Sequence, residues 1–356
     1  MKRENIKVIR QLLKLFCLVY FTLQLYSCSP TKSISIPEEK EISVWMAETK
    51  VPTVGICIIE DGKVKKANVY GSIRYHSPAP VNTIFNIASL SKLLLSTVTL
   101  KLIDKGQWQL DEPLYHYWTD PDVENDPRNK KITTRLVLCH KTGLPNWRGH
   151  EPDGKLNFAF EPGTDWKYSG EGYEYLRQAI EHKFHLPMEM LVDSLVLKPL
   201  EMNDTRYYWD EKMDTTLYAD RYHEDGSAFE MEKWYEANAS NLVLTTVTDY
   251  GKFGAFVING MNIDKQLQRE MISTQAVLKN GKEFGLGWVL LKNLSDGEYA
   301  IVHTGSNAGI NTVILLLPKS KRGIVVFTNG DKGRELFGKI IENSLEQGKE
   351  ILQRME

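Results

Sequence analysis

Apolar and polar positions divide the chain into a short leader and three patterned blocks. Residues 54–60 form a β-branched apolar run, Asp61-Gly62 supplies a tight turn, and residues 63–70 read as the returning strand, so the pattern predicts an antiparallel hairpin. From residue 89 to 105 the apolar positions become dense (Leu93, Leu94, Val98, Leu100, Leu102, Ile103) and Gly106 supplies a stop. That density predicts a helix buried on most sides. Residues 107 to about 240 read as helical segments between Pro, Gly and aromatic loops, clearest over 133–140, 172–182 and 188–197. A further helix is expected over 248–258, with Thr248 at its N-cap and Asp249 in its first turn. The strand pattern returns over 284–291, 298–303, 311–317 and 323–328, and an amphipathic helix is expected over about 332–352. The order strands, helices, strands, helix predicts an α+β fold. Its antiparallel sheet holds both ends of the domain, helices flank it, and an all-helical lobe is inserted over about 107–240.

The leader has its own logic. Lys2, Arg3, Lys7, Arg10 and Lys14 form a basic start, and residues 15–26 are apolar except for Thr22 and Gln24. A transmembrane helix needs about 20 apolar residues, so the shorter run reads as the core of a secretory signal. It ends in Leu25-Tyr26-Ser27-Cys28, which resembles the bacterial lipobox. In such signals the Cys is lipidated and becomes the mature N-terminus. The resemblance implies a protein lipid-anchored through Cys28 in the bacterial cell envelope, on the periplasmic face. Residues 28–37 then serve as a tether and 38–356 as the folded domain.

Composition narrows the classes. Hydrophobic residues make up 42% and charged residues 25%, an ordinary globular balance that excludes a disordered or multi-span chain. Lys+Arg is 44 against 46 Asp+Glu, so no basic excess exists to neutralise a phosphate backbone, and nucleic acid is excluded as a partner. Removing residues 1–27 takes away five basic residues and one acidic one and leaves a net charge of −6. Four Cys are too few for a disulfide-built scaffold. Cys57 and Cys139 lie in apolar runs and read as buried free thiols, with a bridge between them left open.

The candidate chemistry begins at Ser89, which opens the buried helix with Lys92 three residues on, so both side chains lie on one helix face. The helix N-terminus and a neighbouring ammonium both favour negative charge on the Ser oxygen, and a neutral Lys can take its proton. Taken alone, Ser89 reads equally as an N-cap and Lys92 as a solvated residue; Ser29-Pro30-Thr31-Lys32 has the same spacing with no core behind it. Lys92, however, sits among Leu90, Leu93, Leu94 and Leu95, an expensive place for an unpaired charge. Two further segments stand out: Tyr168-Ser169-Gly170 just ahead of a helix, and His303-Thr304-Gly305-Ser306 at a strand end.

Together and in this order, the three segments resemble the motifs of the serine β-lactamase and penicillin-binding protein superfamily: Ser-x-x-Lys, Tyr-x-Asn, and Lys-Thr-Gly or His-Thr-Gly. The similarity is closest to the branch of class C β-lactamases, DD-peptidases and esterases. Leu138-Cys139-His140-Lys141-Thr142-Gly143-Leu144-Pro145, Lys198-Pro199-Leu200-Glu201-Met202 and Val325-Val326-Phe327-Thr328-Asn329 carry the resemblance between and beyond the motifs. Lys141-Thr142-Gly143 is a literal Lys-Thr-Gly, but it precedes Tyr168 and follows a helix, so the third motif is assigned to His303-Thr304-Gly305.

The resemblance implies an active site between sheet and helical lobe, with Ser89 as the acylated nucleophile. Lys92 lowers the cost of its alkoxide, and Tyr168, as phenolate or proton relay, is general base and acid. The backbone N–H groups of Ser89 and Ser306 form the oxyanion hole. Thr304 and His303, beside Gly305, contact the leaving group or a substrate carboxylate. No metal or cofactor is implied, and His182 and His185 read as a solvated helix face. Two departures bear on substrate: Gly170 stands for the Asn that holds an acylamino group, and His303 for a permanently charged Lys. The expected substrate is a small ester, amide or peptide, with an esterase-like or acyl-transferring activity ahead of a DD-carboxypeptidase or weak class C-type β-lactamase. A sensor that acylates without turnover is the reading of another class. Gly170→Asn is expected to raise β-lactam or peptide turnover relative to ester turnover. Tyr207, Tyr208, Trp209, Trp234 and Tyr235 read either as a lid over an apolar substrate or as packing within the lobe.

Overall fold

The computed structural model describes residues 34–73, 77–211, 213–278 and 281–355. After helix α1 (Glu39–Thr49) come strands β1 (Thr53–Glu60) and β2 (Lys63–Gly71), then the short β3 (Phe85–Asn86) and helix α2 (Ser91–Asp104). Helices α3 (Thr134–Leu138), α4 (Gly170–Phe184) and α5 (Met188–Val192) follow, the last running on into a π turn over Asp193–Leu197. Then come β4 (Leu244–Thr245), α6 (Val247–Ile258), α7 (Lys265–Met271), β5 (Ala276–Val277), β6 (Glu283–Phe284) and β7 (Val289–Leu291). β8 (Ala300–Asn307), β9 (Ile310–Leu317), β10 (Arg322–Thr328), α8 (Gly333–Ser344) and α9 (Gly348–Met355) complete the fold.

One eight-stranded antiparallel sheet in the order β2-β1-β10-β9-β8-β7-β6-β5 organises the domain. Strands β9 and β10 are buried along their whole length and β1 for all but its last residue, because helices cover both faces. This explains why these strands read as continuous apolar runs rather than alternating ones. Alternation divides them all the same. Cys57, Ile59, Ile314, Leu316, Val325 and Phe327 face the core shared with α2 and α6. Ile56, Ile58, Val313, Leu315, Ile324 and Val326 face α1 and α8. The fold is the α+β arrangement expected from the pattern, an antiparallel sheet flanked by helices. Between residues 107 and 240 the chain carries α3, α4, α5 and short helical turns, and the pair β3–β4 (Phe85↔Thr245) clasps the two ends of this excursion.

Several boundaries differ from the pattern-based expectation, each for a local reason. The strand expected over 284–291 is a hairpin of β6 and β7, because Gly287 has φ +90° and Gly285 N donates to Trp288 O. β8 continues past His303 to Asn307, carried by pairing with β9. The N-cap of α6 is Thr246, whose side chain accepts from Asp249 N, and Thr248 lies in the first turn. The last helix is two, since Leu345 is extended (φ −127°, ψ 135°). Helix α1 was not expected; it buries Ile42, Met46 and Thr49. Of the expected tether, residues 34–37 are described, and they begin the packed domain: Ile34 is buried and Ser35 N donates to Ser344 O. The leader and Cys28 lie outside the described residues. Cys57 and Cys139 are free, buried thiols, and burial pushes them up to about 12 and about 11.

Candidate active site

The site forms where the start of α2 meets β8. Ser89 lies in a 3-10 turn, Ala88–Leu90, that leads directly into α2. Ala88 has φ +47°, a left-handed conformation that costs a non-glycine residue about 1–2 kcal/mol. Neighbours hold it there. Ala88 N donates to Asn86 Oδ1 (2.8 Å), Ser91 Oγ donates to Ala88 O (2.6 Å), and Ser91 Oγ accepts from Val243 N (3.1 Å). Thr312 Oγ1 of β9 donates to Ile87 O at 2.9 Å. The nucleophile candidate is thus fixed by bonds from β9 and from the chain just before β4.

Lys92 is fully buried on the first turn of α2. Its Nζ donates to Ser89 Oγ (3.3 Å) and to Ser240 O (2.9 Å). It lies 4.9 Å from the centre of the Tyr168 ring and 5.7 and 5.9 Å from those of Tyr173 and Trp147. Burial pulls its pKa down to about 7, against a smaller upward pull from the Glu174 carboxylate. A substantial fraction is therefore neutral at neutral pH, which makes it a competent base.

Tyr168 precedes α4 with its phenol beside Ser89, and burial holds that phenol well above the usual range. Its backbone is set by Ser169, the N-cap of α4: Ser169 Oγ accepts from Gly172 N and donates to Pro145 O, both at 2.8 Å. Two imidazoles border the Tyr168 ring, His140 with ring centres 4.2 Å apart and His303 at 6.5 Å. Burial lowers both pKa values, that of His303 to about 3, so both are neutral. His140 Nδ1 accepts from Ser169 N at 3.2 Å, which leaves its proton on Nε2. His303 Nδ1 lies 2.9 Å from Thr304 O and donates to it, so the His303 lone pair is on Nε2.

β8 supplies the opposite wall. β7 pairs with it only as far as Val302, so along residues 303–307 its one described strand neighbour is β9 and its other edge faces the site. Gly305 is required there: a Cβ would lie 2.4 Å from Ile87 O and 3.1 Å from Ser89 N. This close approach sets the 305–306 backbone beside the Ser89 amide. The Ser306 hydroxyl turns aside and donates to Asn311 Oδ1 at 3.3 Å.

The structure brings Ser89, Lys92, Tyr168, His303, Gly305 and Ser306 to one place, and it changes the parts assigned to two residues. His303 was expected at the substrate; it is buried and neutral against Tyr168, so it offers no charge to a carboxylate. Gly170 was expected at the substrate, in place of the Asn that holds an acylamino group. Instead its N–H donates to Asn146 Oδ1 (2.9 Å), and a Cβ would meet Asn146 O at 2.7 Å. The Lys141-Thr142-Gly143 triplet is a loop after α3, with Gly143 at φ +81° and Thr142 Oγ1 accepting from Leu144 N. Of the five aromatics, Tyr207 and Trp209 are buried, whereas Trp234 and Tyr235 are exposed. A cavity of about 410 Å³ opens nearby, with Asn86, Trp147, Trp209, Trp234, Asn241 and Asn307 among its lining residues. Trp147, Ser240 and Glu174 escaped the sequence reading. Ser240 acts on Lys92 through its backbone, which no side-chain pattern reveals. Among the described residues no cluster of three His, Cys, Asp or Glu side chains could hold a metal, and no helix is long and apolar enough to cross a membrane.

Comparison with known proteins gives the family and the fold. A family profile described as Beta-lactamase matches residues 39–348. Protein flp of Staphylococcus aureus is 24% identical over 323 residues, covering 82% of this chain and 62% of its own length. Penicillin-binding protein 4* of Bacillus subtilis is 22% identical over 300 residues, covering 75% of this chain and 65% of its own. The chain therefore spans less than two thirds of these relatives. Among solved structures, the octameric penicillin-binding protein homologue from Pyrococcus abyssi has a TM-score of 0.72 at 23% identity, over 83% of this chain and 73% of that one. D-alanine carboxypeptidase AmpC from Burkholderia cenocepacia has a TM-score of 0.70 at 21% identity, over 85% and 97%. D-amino acid amidase from Ochrobactrum anthropi SV3 reaches 0.70 at 21%, over 82% and 90%.

Proposed function

Because the chain belongs to the β-lactamase family, we propose that it is a serine hydrolase that works through an acyl-enzyme on Ser89, with an ester-cleaving or acyl-transferring preference. The observation that carries the reading is the contact of Ser89 Oγ with the Nζ of a fully buried Lys92, 3.3 Å away and poised near pH 7. Neutral Lys92 takes the Ser89 proton as Oγ attacks the acyl carbonyl. Tyr168, beside Ser89, relays the proton from Lys92 to the leaving group. Its phenol is held high by burial, so it serves as a relay rather than as a standing phenolate. The N–H groups of Ser89 and Ser306 receive the developing oxyanion. Water or another acceptor then releases the acyl group.

The substrate preference rests on what the cleft lacks. His303 is neutral and buried, and Gly170 carries no side-chain amide, so substrates with a carboxylate or an acylamino handle gain little from either position. The second reading, a D-amino-acid peptidase or amidase, is favoured by the open edge of β8, which suits an extended chain, and by the carboxypeptidase and amidase named among the fold neighbours. Labelling with a fluorophosphonate tests the first step: Ser89→Ala should abolish it, and Ser91→Ala should retain much more. Comparison of p-nitrophenyl esters with nitrocefin and D-Ala-D-Ala peptides tests the preference, and faster cleavage of nitrocefin than of every ester reverses it. We also propose, from the leader alone, that Cys28 is lipidated and anchors the domain at the cell envelope. A single acyl chain binds membranes marginally, so stable attachment calls for more than one. Cys28→Ser should move the protein from the detergent to the aqueous phase, and an unmodified Cys28 in the mature mass spectrum overturns the proposal.

A further inference from the structure

We propose that Glu174 is a positioning residue for Lys92: it clamps the turn that holds the lysine's ammonium and is the carboxylate that acts on it. This rests on the reading of Ser89 and Lys92 given above, and nothing in the three family motifs requires it.

The connection runs through a short chain of bonds. Glu174 lies on α4, the helix that begins just after Tyr168. Its Oε1 accepts from Ala239 N at 2.6 Å. The carbonyl of the next residue, Ser240, accepts from Lys92 Nζ at 2.9 Å. Ser240 Oγ in turn donates to Gly170 O at 2.8 Å, so α4 grips the turn at two points. Asn238 closes the turn, its Oδ1 accepting from Ser240 N (2.8 Å) and Asn241 N (3.1 Å). A shift of Ala239 therefore moves the carbonyl that aims Lys92 at Ser89. Glu174 is itself held in place: its Oε2 accepts from Arg177 Nε at 2.8 Å, and Arg177 also pairs with Glu181 at 3.0 Å.

The electrostatics point the same way. From α4, Lys92 faces Glu174 and the ring of Tyr173. From the loops it faces Tyr168, Trp147 and the Ser240 carbonyl, and from α2 the Ser89 hydroxyl. His140 and His303 complete the surroundings, and both are neutral. Glu174 is the carboxylate among these groups; burial raises its pKa, with a small push from Glu171, while Arg177 and the Ala239 N–H favour its charged form. With burial pressing Lys92 toward its neutral form, Glu174 sets how far that goes. Without its charge Lys92 loses its proton at lower pH.

The test is a titration of Lys92 by NMR of protein labelled with [ζ-15N]lysine, the resonance assigned by its loss in Lys92→Met. Glu174→Gln keeps an acceptor for Ala239 N and removes the charge, so the fold is preserved while the electrostatic role is lost. The expected result is a Lys92 pKa lower by about one unit in Glu174→Gln. The acid limb of the fluorophosphonate labelling rate should move down by the same amount. Glu174→Ala, which also frees Ala239, should in addition lower the plateau rate about tenfold or more. An unchanged Lys92 titration in Glu174→Gln overturns the proposal, as does a loss of rate with an unmoved limb, which marks a merely structural role. The NMR readout does not depend on activity. A wild type that Ser89 probes leave unlabelled therefore counts against the acyl-enzyme reading, while the titration still decides the role of Glu174.

Discussion

Lys92 sets activity and stability against each other at a single residue. Its folded pKa of about 7 lies below the roughly 10.4 of an unfolded lysine. Between those two values the unfolded chain holds more protons, so stability rises with pH across that window. Lys92→Met is expected to abolish Ser89 acylation while raising the free energy of unfolding at pH 7 by on the order of a few kcal/mol. The advantage should shrink as the pH approaches 10, and denaturant melts at several pH values will show whether it does. In the wild type the labelling rate should rise through about pH 7 as Lys92 becomes neutral. Gly170 gives a second expectation at this scale, which replaces the one drawn from sequence. A Cβ there meets the Asn146 carbonyl at 2.7 Å, and backbone does not yield easily. Gly170→Asn should therefore cost about 1–3 kcal/mol and depress turnover of esters and peptides alike. A selective rise in peptide turnover contradicts this.

The loop after α3 owes its place beside Tyr168 to one arginine. Arg148 donates from its backbone N and Nε to Glu171 on α4 (3.0 Å each) and from Nη2 to Asp120 at 2.6 Å. Its Nη1 reaches Asp122 at 3.0 Å, and Asp122 in turn accepts from Leu156 N. Asp120 and Glu171 are almost fully buried, so removing the guanidinium strands two carboxylates. Breaking a fully buried pair costs roughly 3–5 kcal/mol; with the Arg148 side chain 34% exposed, about 2 kcal/mol is expected for Arg148→Met. Calorimetry measures the loss. Because Trp147 and Asn146 border the site from this loop, labelling of Ser89 should slow as well. Elements of this kind also mark how far sequence carries. β1, β9, β10 and α2 are legible because burial on both faces leaves long apolar runs, and the Ser89–Lys92 pair is legible from its three-residue spacing, although Ser89 lies in the 3-10 turn before α2 rather than in the helix. The break between β6 and β7 turns on the positive φ of Gly287, and the break before α9 on one extended residue, Leu345. Glu174 and the Ser240 carbonyl meet Lys92 only after distant segments pack, so no local spacing announces them.

On the scale of the whole molecule, the sheet places its earliest strands beside its latest. β1 sits between β2 and β10, with Val54 opposite Thr328, and the Ser89 turn is tied to β9 through Thr312. Neither the central sheet nor the nucleophile's setting exists until β9 and β10 are in place. A chain ended after Leu317 lacks β10, and it is expected to show no cooperative melt and no Ser89 labelling; a labelled, cooperatively unfolding fragment contradicts this. The same pairing has a consequence in time. Contacts this remote in sequence close slowly, since loop-closure entropy is spent before the pairing returns anything. As the chain emerges from a ribosome or a translocation pore, the hairpin of β1 and β2 forms first, and the other edge of β1 waits. That edge belongs to a strand whose native faces are both apolar, which is the kind of surface that nascent chains stick by. The interval between the appearance of β1 and that of β10 is therefore when this protein most needs a holding chaperone, and protease resistance should arrive late and in one step.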